Sequence, residues 1–137
     1  MIKIHLGGTC NNSIWRDELV KMLDLENVIC LNPICKDWVW NEKKRNEKST
    51  RLKMCDYFVY VITPETYGFA SIATLVDLSN KCSEKVIACI LYEYKNMKFE
   101  GHMLESIKSV SDIIKDNGVI LLNDLNEIAS FINNKAK

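Results

Sequence analysis

Apolar residues along the chain keep two rhythms, one unbroken or of period two and one of period 3.6, and the two alternate. Ile2 to Leu6 predicts a first strand. Trp15, Leu19, Met22 and Leu23 then fall on one helix face, with Asn12 or Ser13 as the candidate N-cap, since either side chain can accept from a free backbone N–H. Val28 to Leu31 reads as a short second strand, stopped by Asn32-Pro33. Residues Asn41 to Lys53 are charge-dense and free of Gly and Pro, which predicts a solvated helix anchored by Leu52 and Met54. The run Tyr57 to Ile62 is continuously apolar, as expected of a parallel strand covered on both faces.

Ala70 to Lys81 reads as a helix with Ile72, Ala73 and Val76 facing the core, and Val86 to Leu91 as a second buried strand. Met103, Ile107, Val110 and Ile114 mark another helix, closed by Asn117-Gly118, where Gly accepts positive φ. Val119 to Leu122 is a fifth strand, and Leu125, Ile128, Ala129 and Ile132 form the last helix face. Strand and helix alternate throughout with short connections. That pattern predicts an α/β, three-layer, doubly wound parallel sheet of five strands in the flavodoxin-like order 2-1-3-4-5, as one domain over residues 1–137. The extended polar segment from Tyr94 to Gly101 is the candidate flap.

Composition narrows the class. Hydrophobic residues make up 47% and charged residues 26% of the chain, the balance of a folded globule. Lys plus Arg and Asp plus Glu number 18 each, so no net field exists to hold a polyanion, and nucleic acid is not an expected partner. No apolar run reaches membrane-spanning length and the first residues lack a signal-peptide pattern, which predicts a cytoplasmic protein without a membrane partner. The six cysteines stand singly, without a Cys-x-x-Cys pair, and read as reduced thiols rather than disulfides or zinc ligands. Neither metal nor cofactor is expected.

In an open parallel sheet, ligands bind beyond the carboxyl ends of the strands where strand order reverses. For this order two loops meet there, Leu6 to Ser13 and Thr63 to Ser71. Gly7 and Gly8 allow either close backbone approach to a ligand or simply a tight turn. Arg16, one turn into the next helix, reads as a phosphate contact or as a solvated surface residue. Tyr67 offers a ring for stacking, Gly68 close approach, and Ser71 a helix cap or a ligand contact. Asp37, Trp38 and Trp40 follow strand two on the same edge of the sheet, where a Trp pair suits a base or sugar face or the core. His5 and His102 are isolated and read as core or surface residues.

The ordered set Leu6-Gly7-Gly8-Thr9, Trp15-Arg16-Asp17, Asn32-Pro33, Asp37-Trp38, Cys55-Asp56-Tyr57, Tyr60-Val61-Ile62-Thr63-Pro64, Gly68, Ser71-Ile72-Ala73, Asp77 and Ser79-Asn80-Lys81 resembles the nucleoside 2-deoxyribosyltransferase-like family, from about His5 to Leu91. The resemblance implies a flavodoxin-like fold that binds nucleosides or nucleotides, with a glutamate early in the helix after strand three attacking the anomeric carbon. It implies a homo-oligomer. The candidate ligand contacts, from the loops and the resemblance together, are Gly7, Gly8, Thr9, Asn12, Ser13, Trp15, Arg16, Asn32, Pro33, Trp38, Thr63, Pro64, Tyr67, Gly68 and Ser71. The position that should hold the glutamate is Thr74, whose hydroxyl is a poor nucleophile without an adjacent base.

Two functions follow. One is a domain that binds or sequesters a nucleoside, nucleotide or ADP-ribose-like small molecule without efficient glycosyl transfer. The alternative is an active nucleoside deoxyribosyltransferase or nucleotide N-glycosidase that uses Glu65 or Asp77.

Overall fold

The computed structural model describes residues 1–10, 12–31 and 39–137 of the chain. Five parallel strands form the sheet: β1 (Ile2–Gly8), β2 (Val28–Leu31), β3 (Tyr57–Ile62), β4 (Val86–Ile90) and, after a two-stranded hairpin, β7 (Ile120–Leu122). Their order is β2-β1-β3-β4-β7, the flavodoxin-like arrangement that the alternation of periods predicts. Register places Ile4 beside Cys30 on one side and Tyr57 on the other, and Gly7 and Gly8 beside Tyr60 and Val61.

Side chains alternate across the sheet and so build two cores. On one face Ile4, Leu6, Val59, Val61 and Ile87 pack against Trp15 and Leu19 of α1 (Trp15–Val20) and Ile128 and Ile132 of α5 (Leu125–Ala136). On the other, Phe58, Tyr60, Ile62 and Ala88 meet Leu75 and Leu78 of α3 (Phe69–Cys82) and Ile107 and Ile114 of α4 (Gly101–Asp116). Burying each large aliphatic or aromatic chain here is worth about 1.5–3 kcal/mol, which explains why β3 and β4 read as unbroken apolar runs. The remaining helix, α2 (Glu42–Met54), is capped by Asn41, whose side chain accepts from the Lys44 N–H at 2.9 Å, and it buries no residue fully. Leu52 packs against the second core, but Met54, expected as its other anchor, is 49% exposed.

Several local expectations change. Neither Asn12 nor Ser13 caps α1. Its N-cap is Ile14, Asn12 has a φ of 69°, and the Ser13 hydroxyl turns to Glu65 instead. The buried face of α3 is Leu75, Leu78 and Ser79, whereas Ala73 is exposed and Ile72 and Val76 are only half-buried. Met22 and Met103 are likewise exposed. The segment expected as a flap is a hairpin, β5 (Glu93–Tyr94) against β6 (Met97–Lys98). Lys95 and Asn96 both take positive φ at its turn, the geometry that matches strand twist. The Tyr94 hydroxyl donates to Glu18 and Lys95 pairs with the same carboxylate at 3.1 Å, which ties the hairpin to α1.

Cys30, Cys55, Cys82 and Cys89 are free thiols. Burial pushes Cys89 up to about 12 and Cys55 to about 11, so both stay protonated at neutral pH. Among the described residues no helix is long and apolar enough to cross a membrane, and no group of three or more His, Cys, Asp or Glu could hold a metal ion.

Candidate functional site

A cleft of about 770 Å³ opens at the carboxyl end of β1 and β3, between α2 and α3. Its volume falls within the roughly 300–1,000 Å³ usual for small-molecule sites. The strand alternation accounts for it. On the face shared with α2 and α3, β1 presents His5 and then Gly7, whose missing side chain makes room for the Tyr60 ring. Added there, a Cβ would stand 2.5 Å from the Tyr60 ring. Gly8, at φ +123°, would meet the Val61 carbonyl oxygen at 2.0 Å. Both glycines line the cleft, yet each is required first by its neighbours in the protein.

The two loops at the switch point are sewn together below the cleft. Thr9 N–H donates to Val61 O at 2.9 Å, and Thr63 N–H to Thr9 Oγ1 at 2.8 Å. The Thr9 carbonyl accepts from Trp15 Nε1 at 2.8 Å and from the Arg16 guanidinium at 2.7 Å. Arg16 Nε donates to Leu6 O at 3.1 Å, and its guanidinium lies 4.4 Å from the Trp15 ring centre. Glu65 Oε1 gathers the hydroxyls of Ser13 at 2.5 Å and Thr63 at 2.8 Å. Ser71 donates to Gly8 O at 2.9 Å, so it clamps α3 to the first loop rather than capping its own helix.

The wall from α2 consists of Lys44, Glu47, Lys48 and Arg51, at i, i+3, i+4 and i+7, with Trp40 just before the helix. The α3 wall is Ala70, Ser71, Ala73 and Thr74. Lys48 bridges the two, donating to Thr74 Oγ1 at 2.5 Å, with its ammonium 5.5 Å from the Trp40 ring centre. Burial, then the charge of Arg51, holds Lys48 below the usual lysine range, while Asp77 opposes the shift. His5, 2% exposed, is lowered to about 3 by burial and by the charges of Arg51, Arg16 and Lys48, with the Leu31 backbone acting the other way. Imidazole is therefore neutral across the physiological range. Burial likewise pushes the Tyr60 hydroxyl far up, leaving it a neutral group 3.4 Å from His5 Nε2.

The family profile described as nucleoside 2-deoxyribosyltransferase like matches residues 1–93. The chain belongs to the nucleoside 2-deoxyribosyltransferase-like family. No curated protein and no solved structure matches it. The family region contains every residue that lines the cleft, from His5 to Thr74.

Of the residues that the sequence and the family resemblance single out, Gly7, Gly8, Arg16, Ser71 and Thr74 meet at the cleft. Thr9, Trp15 and Thr63 are buried in the scaffold below it, and Ser13 and Glu65 are joined to each other in the loop seam. Asn12 is exposed and Pro64 half-buried, both away from the lining. Gly68 is the N-cap of α3 at φ 63°, and Tyr67 is 67% exposed, stacked on Phe69 at 5.7 Å. Asp77 lies one turn past Thr74, in an exposed pair with Lys81 at 2.9 Å. Asn32, Pro33, Asp37 and Trp38 lie outside the described residues. Sequence reasoning missed His5, Tyr60 and the α2 wall. A signal for the last existed, a basic stripe at 44, 48 and 51 on one helix face, but it reads equally as a solvated surface.

Proposed function

We propose that this chain binds a nucleoside-, nucleotide- or ADP-ribose-like small molecule in the cleft between α2 and α3, without efficient glycosyl transfer. The observation that carries this reading is the state of Thr74, which stands where the family resemblance puts a glutamate nucleophile. Its hydroxyl donates its one proton to Ala70 O at 2.9 Å and accepts from the Lys48 ammonium at 2.5 Å. A threonine needs a base at its proton to attack carbon, and here a backbone carbonyl holds that proton while a donor faces the oxygen.

The substitutes have less support. Glu65 spends Oε1 on two hydroxyls and lies outside the lining, and the Asp77 side chain is 57% exposed beside Lys81. Neither carboxylate faces the cleft, as a transferase or N-glycosidase acting through either would require. A homo-oligomer fits the surface beside the cleft, since a second copy would cover the stacked Tyr67 and Phe69 rings, 67% and 76% exposed.

Chromatography of free base tests the reading, over hours at high protein concentration, with deoxynucleosides and their monophosphates. The wild-type chain should release none. Thr74→Glu should release some, because a carboxylate there would sit against Lys48 in a cleft already shaped for a small ligand. Binding itself is followed by thermal shift, to which a ligand at 100 times its dissociation constant adds about 2.7 kcal/mol. Rapid turnover by the wild-type chain that Glu65→Ala or Asp77→Ala abolishes would establish the enzyme and sink the binder.

A further inference from the structure

We infer that the ligand of this cleft is anionic, and that a phosphate-type group seats against Lys48 and Arg51 of α2, with Lys44 at the rim; the inference rests on the nucleoside-type reading above. Four cations line the cleft, Arg16, Lys44, Lys48 and Arg51, and among the described lining residues Glu47 is the only carboxylate. Glu47 pairs with Lys44 at 3.6 Å. Among the described residues no carboxylate approaches Lys48 or Arg51 within ion-pair distance. The chain balances its charges overall, 18 against 18, but not here.

Arg51 carries an independent mark. Its Nε is a buried donor without a hydrogen-bond partner, a costly state in a folded protein unless something fills the need. An oxyanion is the chemical match, because guanidinium nitrogens donate in a fork that suits phosphate oxygens. Lys48 reaches the same space as a point charge, with one proton on Thr74 and others to offer. Their mutual repulsion, evident in the way Arg51 depresses Lys48, is relieved by any anion placed between them.

The same geometry moves the phosphate away from Arg16, the residue that sequence alone offers for it. Arg16 is 8% exposed, and its guanidinium is spent on the carbonyls of Leu6 and Thr9. It adds positive potential from below without a free fork. The charged end of the ligand therefore lies toward α2, and the uncharged remainder toward the glycine floor and the Ala70–Ala73 wall.

Calorimetric titration at fixed ionic strength tests this with the common 2′-deoxynucleosides, their 5′-monophosphates and inorganic phosphate. At least one monophosphate should bind about tenfold or more tightly than its nucleoside, the usual worth of a charge-assisted contact. Lys48→Gln and Arg51→Gln should each erase most of that advantage, weakening the monophosphate far more than its nucleoside. Lys53→Gln, an equal loss of charge on an exposed part of the same helix, should change neither. In the wild-type chain, added potassium chloride should weaken the monophosphate and spare the nucleoside, a readout independent of any variant.

Equal affinity for nucleoside and monophosphate overturns the anion subsite and leaves the nucleoside reading intact. So does an equal loss of both ligands in Arg51→Gln. Inorganic phosphate binding as well as any monophosphate, and lost with Arg51, supports the subsite and overturns the nucleoside reading. Binding of none of these compounds overturns both.

Discussion

His5 is 2% exposed in a cleft wall, and its environment forbids a second charge. The guanidinium groups of Arg51 and Arg16 and the ammonium of Lys48 face it, Tyr60 lies beside it, and the Leu31 backbone is its one partner favouring protonation. With its folded value lowered to about 3, the neutral form is favoured in the folded chain. The stabilisation is present in full above about 6.5 and is lost as pH falls from there toward 3. Urea unfolding at a series of pH values should show a decline beginning near 6.5, on the order of 4 kcal/mol at most by the acid end. His5→Gln should flatten the part between pH 6.5 and 5, before carboxylates titrate. Parallel curves for the two proteins would mean that His5 is not held neutral. In the sequence, His5 is legible as a core residue because it alternates with Ile4 and Leu6. Its place in the cleft was not, since that depends on α2 arriving from forty residues away in the chain.

The elements themselves are legible wherever burial drives them. β3 and β4 are unbroken apolar runs because helices cover both faces, and the α5 stripe of Leu125, Ile128, Ala129 and Ile132 is the buried set of that helix. Misreadings fall where a helix face lines the cleft, as in the first turns of α3, or where two loops satisfy each other, as Ser13 and Glu65 do instead of capping α1. Helix α2 is the instructive case. Charge density without breakers identifies it as a helix, but its pattern is indifferent to whether the charged face meets water or a ligand. Because α2 buries no residue fully, little apolar surface holds it down, and its amides should open more readily than those of α3, α4 or α5. Hydrogen exchange read by mass spectrometry should find α2 exchanging before those helices and slowing selectively once the cleft is occupied. Uniform slowing across the fold, with α2 unremarkable, would show that it takes no part in binding.

At the scale of the molecule, totals mislead. Equal numbers of acids and bases exclude a uniform field, yet the fold gathers four bases around one cleft and leaves pairs such as Lys81–Asp77 and Lys108–Glu105 outside it. Apolar surface is sorted in the same way. Tyr67 and Phe69 stack on each other at the start of α3 and are both exposed among the described residues. If a second copy covers them, sedimentation velocity should give a dimer or larger species for the wild-type chain, and Phe69→Ser should shift it toward monomer at modest cost to folding. A wild-type monomer at every concentration would sink the homo-oligomer.

The strand order also governs how the chain is made. β1, the middle of the first half of the sheet, needs β2 on one side and β3 on the other, and both follow it in the sequence. At ribosomal rates of about 5–20 residues per second, Tyr57 emerges roughly 3–10 seconds after Ile4. Until then the edge of β1 that β3 will cover stays open, a template for any neighbouring nascent chain. Pairing of Ile2–Gly8 with its distant partner thus competes, while the chain is being made, with pairing between copies of the same strand.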